Sequence, residues 1–304
     1  MKITVLIYVF CIALVIGVRP AWPDVNVFAC EPEWAALAED LGGDKVSTFT
    51  ATNARQDPHH IRARPSLIAR VRRADMIFCS GAGLEAGWLP VLLQRGARAM
   101  TQPGKPGYLM ASEHVPVLGK PAVVDRSMGD VHPEGNPHVH LDPRNVLKVS
   151  AELTRRLIAI DPANKAHYED RAGTFTAGWR KSMAQWEQRA RPLKGMKVIV
   201  HHTSFTYLTA WLKLDTVTTL EPKPGLPPTA SHLEAVLRLA RSQPIKAILR
   251  TPYDPDSAAE WLSGKAKIPV LVLPYTVGGD PKGKTLNALF ELTLSSLEGA
   301  ARER

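Results

Sequence analysis

The sequence predicts an α/β protein of two lobes that are joined by one long rigid helix. Short apolar runs such as Met76–Cys79 alternate with helical segments, and this alternation restarts after Pro192. Apolar runs without polar alternation are typical of parallel strands that are covered on both faces. Residues 163–191, between the two regions, contain no proline, which predicts a helix about 40 Å long at 1.5 Å per residue.

Each element follows from the apolar pattern and from the glycines and prolines that end it. The predicted strands cover residues 25–30, 45–50, 76–79, 196–201, 216–220, 245–249 and 270–273. The predicted helices cover residues 33–41, 66–73, 89–95, 144–160, 163–191, 207–212, 231–241, 258–263 and 286–300. The resulting division is a signal peptide (1–21), an N-terminal α/β lobe (22–160), a connecting helix (161–192) and a C-terminal α/β lobe (193–304).

The first residues of the chain predict export. Lys2 precedes a nearly unbroken apolar run, Ile3–Val18, and Ala21 follows closely behind it. A positive start, a short apolar core and a small residue describe a secretory signal peptide, which we expect to be cleaved after about Ala21. The alternative is a retained membrane anchor, but the run is shorter than the roughly 20 residues that a membrane span needs. We therefore expect a periplasmic protein.

Export also bears on the three cysteines. Cys11 lies in the signal peptide, which leaves Cys30 and Cys79 as an even pair in an oxidising compartment. Both stand at the ends of predicted strands, and neighbouring parallel strands place such ends side by side. We expect a disulfide between them, and two buried free thiols are the alternative.

The formal net charge of +9 does not indicate nucleic-acid binding. Lysine and arginine are dispersed along the chain, without a dense basic run and without interleaved aromatic residues that bases could stack on. We expect a solvated basic surface and no nucleic-acid partner.

Histidines carry the chemical signal. Seven of the ten fall in three clusters, each in a loop or just after a predicted strand: Asp57–His60, His132–His140 and His201–His202. Loops at the carboxyl ends of strands in α/β sheets bring distant residues to one point. Three imidazole nitrogens, with a carboxylate or water, complete a tetrahedral zinc site. The spacing leaves this open, because the local zinc signatures HExxH and CxxC are absent from the sequence.

Four motifs in order along the chain resemble those of the periplasmic zinc and manganese solute-binding proteins of ABC importers. They are Asp57-Pro58-His59 with Arg64-Pro65-Ser66, Asn136-Pro137-His138-Val139-His140-Leu141-Asp142-Pro143, His202-Thr203-Ser204-Phe205-Thr206-Tyr207, and Glu221-Pro222-Lys223-Pro224-Gly225-Leu226-Pro227-Pro228. The resemblance implies two α/β lobes, a rigid connecting helix and a metal site in the cleft between the lobes. It also implies capture and delivery of a metal ion, not catalysis.

Carried over by position, the resemblance makes His59, His138 and His202 the metal ligands. Manganese-type relatives usually have glutamate at the position of His202, so the histidine favours zinc, which imidazole suits well. The fourth ligand in the family is often an acidic residue after the last strand. We expect Asp280 in that role here, with water as the alternative.

Three further residues near the motifs have roles that the sequence leaves open. His140 stands where the family often has tryptophan, and we expect it to pack or to support a ligand, not to bind the metal. His132 lies where relatives carry a longer histidine-rich loop, and a weak metal-collecting role is one option. Asp142 is expected either to orient His138 or to cap the following helix.

The expected function is that of a monomeric periplasmic protein that binds Zn(II) with high affinity and delivers it to the permease of an ABC importer. A periplasmic metallochaperone is a further candidate partner. The long helix should limit hinge closure, so release should need local loop movement. The alternatives are a protein of the same fold that binds manganese or another divalent metal, an adhesin of that fold, and a zinc hydrolase with Glu221 as its base.

Overall fold

The computed structural model describes residues 25–123 and 129–302, and the predicted signal peptide, with its alternative of a retained anchor, lies outside them. The strands of the first sheet are β1 (Val25–Ala29), β2 (Val46–Thr50), β3 (Met76–Cys79) and β4 (Tyr108–Met110). The strands of the second sheet are β5 (Lys197–Val200), β6 (Asp215–Thr219), β7 (Ile245–Arg250) and β8 (Val270–Val272). The strand orders are β2-β1-β3-β4 and β6-β5-β7-β8, and every pairing is parallel.

Helices separate the strands, as parallel pairing requires. They are α1 (Pro32–Gly42), α2 (Pro65–Arg73), α3 (Leu89–Gly96), α4 (Pro143–Ile160), α5 (Lys165–Ala190), α6 (Thr206–Leu212), α7 (Ala230–Ser242), α8 (Ser257–Ala266) and α9 (Leu286–Arg302). In the part of the chain that the structure describes, no helix combines the length and the apolar character that a membrane span requires. The predicted fold class, with two parallel α/β lobes and a long helix between them, is confirmed. The exact lobe boundaries at residues 160 and 192 stay predictions.

Helix α5 ties the two lobes into one frame. It packs against α1 and α4 of the N-terminal lobe and against α9 of the C-terminal lobe. Its buried face carries Trp179 and Trp186, and Trp186 stacks on Phe290 of α9 with ring centroids 5.0 Å apart. One apolar core therefore runs through both lobes, and a smaller core covers the other face of each sheet.

Strand β4 was not predicted from the sequence. Its three residues pair with β3 at the edge of the first sheet, where Ile77 lies opposite Tyr108 and Cys79 lies opposite Met110. Three residues are too few to show a periodicity, so the strand is defined by its neighbour and not by its own pattern.

The two cysteines behave as expected. Ala29 lies opposite Phe78 in the β1–β3 pair, so Cys30 and Cys79 follow at the same level of the sheet. They are joined by a disulfide, with their Cα atoms 4.8 Å apart, and both residues are fully buried. The predicted disulfide is confirmed.

Replacing both cysteines by alanine should lower the free energy of unfolding by about 2–4 kcal/mol, because the disulfide closes a loop of 49 residues. Chemical denaturation of the metal-free mature protein measures this loss. A thiol titration of the denatured, unreduced wild type serves as the control and should find no free thiol. Two titrating thiols, or equal stability of the two proteins, would contradict the assignment.

Candidate metal centre

Three histidines from three different loops meet between the lobes. His59 follows β2, His138 precedes the short turn that leads into α4, and His202 follows β5. One ligand nitrogen from each ring lies within 4.8 Å of the others, and the rings stand edge to face with centroids 5.6–5.8 Å apart. His138 is fully buried and His202 is 6% exposed. The structure therefore brings together three of the four residues that the resemblance proposed.

Asp57 fixes the ring of His59. Its Oδ1 accepts hydrogen bonds from the His59 backbone N–H at 3.0 Å and from Nδ1 at 2.6 Å. Burial raises the pKa of Asp57, but the hydrogen bond and the charge of His59 outweigh it and leave the pKa below its ordinary value. An ionised carboxylate can only accept, so Nδ1 of His59 carries the proton and Nε2 is the nitrogen left for a metal ion.

His138 is supported from two directions. The Asn136 side chain accepts its backbone N–H at 3.0 Å and donates across the cleft to the carbonyl of Thr203 at 2.9 Å. The Tyr275 hydroxyl lies 2.7 Å from Nδ1, and Nε2 has no hydrogen-bond partner among the described residues. Burial, reinforced by the neighbouring histidines, holds the pKa of His138 well below its ordinary value, so this ring is neutral.

Glu221 fixes His202. Its Oε2 accepts from Nδ1 of His202 at 2.7 Å and from the backbone N–H of Gly225 at 2.9 Å. Burial lowers the pKa of His202, but the hydrogen bond and the charge of Glu221 outweigh it and raise the pKa above its ordinary value.

The three rings share one arrangement. In each, Nδ1 contacts a supporting side chain, which leaves Nε2 to face the centre. A partner on the far nitrogen is the usual way in which proteins fix the tautomer and direction of a metal-binding imidazole. The donors are nitrogens, which suits zinc and other borderline metals better than magnesium or calcium.

A fourth histidine, His132, lies against His59. The two Nε2 atoms are 3.1 Å apart, and the other side of the His132 ring bonds to the backbone of Gly83. Burial, with the charges of His59 and His202, lowers the pKa of His132 to about 4. The Nε2 atoms of His59 and His132 are therefore in direct contact beside the three-histidine group. The sequence pointed to His132 through its place in a cluster and, by the resemblance, as an option for weak metal collection.

Asp280 is not a member of the three-histidine group. It lies in the turn between β8 and α9, where its Oδ1 accepts the backbone N–H of Lys282 at 2.7 Å. Its role as fourth ligand stays a prediction.

Other residues near the motifs have structural partners. Asp142 accepts the Arg144 backbone N–H at 2.9 Å and so caps α4, while Tyr275 contacts His138. His60 is exposed, and His201 is buried with Nε2 3.8 Å from Glu221.

A further grouping of Cys30, Cys79 and Glu85 contains the disulfide sulfurs, which are not thiolates and do not bind metal.

The fold and this site agree with the family comparison. A family model described as the periplasmic component A of zinc-uptake complexes, ZnuA, matches residues 27–300. The chain belongs to this family of metal-binding substrate-binding proteins of ABC importers and is not an enzyme. Because the family is periplasmic and the curated relatives are lipoproteins, the chain acts outside the cytoplasmic membrane.

Individual relatives are distant in sequence but similar along most of their length. The chain is 21% identical over 282 residues to the metal ABC transporter substrate-binding lipoprotein ScbA of Streptococcus cristatus, covering 91% of this chain and 88% of that protein. It is 20% identical over 276 residues to the manganese ABC transporter substrate-binding lipoprotein PsaA of Streptococcus pneumoniae, covering 88% and 84%. The crystal structure of a zinc-bound ZnuA deletion mutant superposes with a TM-score of 0.76 at 20% identity, covering 92% of this chain and 99% of that chain.

The pH dependence of metal binding should depend on Glu221. A metal ion displaces the proton from His202, so affinity should fall as the pH drops through the raised pKa of that ring. Glu221→Gln removes the charge that raises this pKa, and the pH midpoint of the loss should therefore move to lower pH. Competition titrations with zinc between pH 8 and pH 5 measure the midpoint, with Glu234→Gln on the exposed face of α7 as control. An unchanged or higher midpoint in Glu221→Gln would contradict this assignment.

Proposed function

We propose that this chain binds zinc with high affinity in the periplasm and delivers it to the permease of an ABC importer. The observation that carries the proposal is the set of His59, His138 and His202, whose ligand nitrogens converge while each Nδ1 has its own partner. Such a site is organised before the metal arrives, which favours capture of a scarce ion.

The donor set supports zinc over manganese. Manganese is harder than zinc and prefers oxygen donors, whereas imidazole nitrogens suit zinc. The relatives named for manganese share the fold, so the discrimination rests on a few side chains at the site and not on the architecture.

Delivery involves a membrane permease and, in our proposal, a monomeric binding protein that a periplasmic metallochaperone can also load. Because α5 and one continuous core connect the lobes, release should come from the loop that carries His132 and the turn that carries Asp280, not from wide opening of the lobes. Glu221, the base of the hydrolase alternative, is engaged by His202 and Gly225, which supports its role as a positioning group.

Zinc binding should disappear in the triple variant His59→Ala, His138→Ala, His202→Ala. Metal analysis of the purified protein, followed by competition titration with zinc and with manganese, measures the affinity of each form. The matched control replaces three histidines whose polar contacts lie outside the metal centre, His114, His167 and His232, and should bind zinc as the wild type does. Tighter binding of manganese than of zinc, or tight binding by the first triple variant, would refute the proposal.

The fourth coordination position has two candidates, Asp280 from the resemblance and His132 from its contact with His59, and neither belongs to the three-histidine group. Two nitrogens bound tetrahedrally at 2.0–2.1 Å from one zinc lie roughly 3.3 Å apart, close to the 3.1 Å between His132 and His59. We therefore expect His132→Ala to weaken zinc binding by about 10-fold or more, a loss of at least 1.4 kcal/mol. Asp280→Ala is the comparison, and a loss confined to that variant would assign the position to Asp280.

A further inference from the structure

A chain of buried polar groups crosses from one lobe to the other beside the metal centre. Its members are Glu33 of α1, His140 of the turn before α4, and the pair Tyr275 and Thr276 that follows β8. Each of the four is at most 3% exposed. Burying an imidazole next to a carboxyl group is costly unless both are paired, so the arrangement needs a reason beyond packing.

His140 connects the two sides. Its Nε2 donates to the carbonyl oxygen of Tyr275 at 2.8 Å, since a carbonyl can only accept. Its Nδ1 lies 3.2 Å from Oε1 of Glu33. These two facing atoms form no hydrogen bond with each other or with any other described residue, so His140 and Glu33 meet here only as a close polar contact.

Glu33 also reaches the segment after β8 directly. Its Oε2 accepts the hydroxyl of Thr276 at 2.5 Å, across 243 residues of sequence. The backbone at Tyr275 and the side chain at Thr276 are thus both tied to the N-terminal lobe. Two attachments at adjacent residues fix the direction of the segment as well as its position.

Tyr275 in this fixed segment contacts His138, one of the three histidines of the centre. The Tyr275 hydroxyl lies 2.7 Å from Nδ1 of His138, and the Tyr275 ring stands edge to face on both His138 and His140, with centroids 5.4 and 4.9 Å apart. Of the three supporting groups, Tyr275 is the one that comes from the opposite lobe. Its placement therefore depends on how the lobes are joined.

We propose that His140 is a positioning residue for the metal centre: with Glu33 it latches Tyr275 in place, and Tyr275 in turn sets the direction of His138. The proposal rests on the proposed function, in which His138 binds zinc. An apolar residue at position 140 would fill the space but would leave the Tyr275 carbonyl without its donor. The hydrogen bonds that His140 and Glu33 make with Tyr275 and Thr276 fix the direction of this segment, which packed apolar side chains would not do.

The test uses a matched pair of substitutions at His140. His140→Gln retains an N–H group near the position of Nε2 and can still donate to the Tyr275 carbonyl. His140→Asn retains a polar group only near Nδ1, on the Glu33 side. We expect His140→Asn to weaken zinc binding 10- to 100-fold, as loss of an outer partner of a metal ligand typically does, and His140→Gln to stay within about 3-fold of wild type.

A double-variant cycle separates positioning from simple loss of structure. Tyr275→Phe removes only the hydroxyl and should weaken zinc binding about 10-fold or more. Adding His140→Asn to Tyr275→Phe should then cost little more, because both act on His138 through the same hydroxyl. His167→Asn in α5, which loses a similar bond to the Gly42 carbonyl at the end of α1, should lower the melting temperature without changing zinc affinity.

Several results would overturn the proposal: His140→Asn with wild-type affinity, equal losses in the Asn and Gln variants, or losses that multiply in the double variant. If His140→Asn does not fold, Thr276→Val opens the latch at its other end, and unchanged zinc affinity there overturns the proposal as well. His138→Ala is titrated alongside. If His138→Ala still binds zinc tightly, the ligand assignment and the latch are both overturned. If His138→Ala loses zinc binding but His140→Asn binds zinc as the wild type does, only the latch is overturned.

Discussion

Three imidazoles that turn their Nε2 atoms toward one point must each be fixed from the far side, and the rest of the site depends on this constraint. Asp57, Tyr275 and Glu221 supply the three Nδ1 contacts, and they come from three separate segments of the chain. Without them the rings could rotate or exchange tautomers, and the donors would have to be ordered when the metal binds. The fold assembles these pairs at the carboxyl ends of its strands, where loops of both lobes meet.

The frame around the centre is built to keep that geometry. The core runs through both lobes, α5 spans them, and aromatic contacts such as Trp186 on Phe290 join the last helix to the long one. Closely packed interiors resist continuous deformation. We therefore expect movement in short segments near the site: the loop that carries His132 and the turn that carries Asp280.

The protonation of each histidine in the centre depends on its own surroundings. Burial and the neighbouring histidines keep His138 neutral by lowering its pKa, whereas Glu221 raises the pKa of His202, which holds a proton more readily. The same fold serves relatives named for manganese and for metals in general. A change of donor type at one or two of these positions would shift metal preference while the lobes and the long helix stay the same.

The sequence by itself determined the α/β class, the long helix, the cysteine pair and three converging histidines. Each of these can be predicted from a short stretch of sequence: the periodicity of apolar residues, a stretch without proline, the end of a strand or a short motif. The tertiary structure decided the rest: the edge strand β4, Tyr275 as partner of His138, Asp142 as a helix cap, and His132 against His59. The His138–Tyr275 contact spans 137 residues and the His59–His132 contact spans 73. No spacing or periodicity encodes such pairs, because they exist only once the sheets and α5 have set the distance between loops.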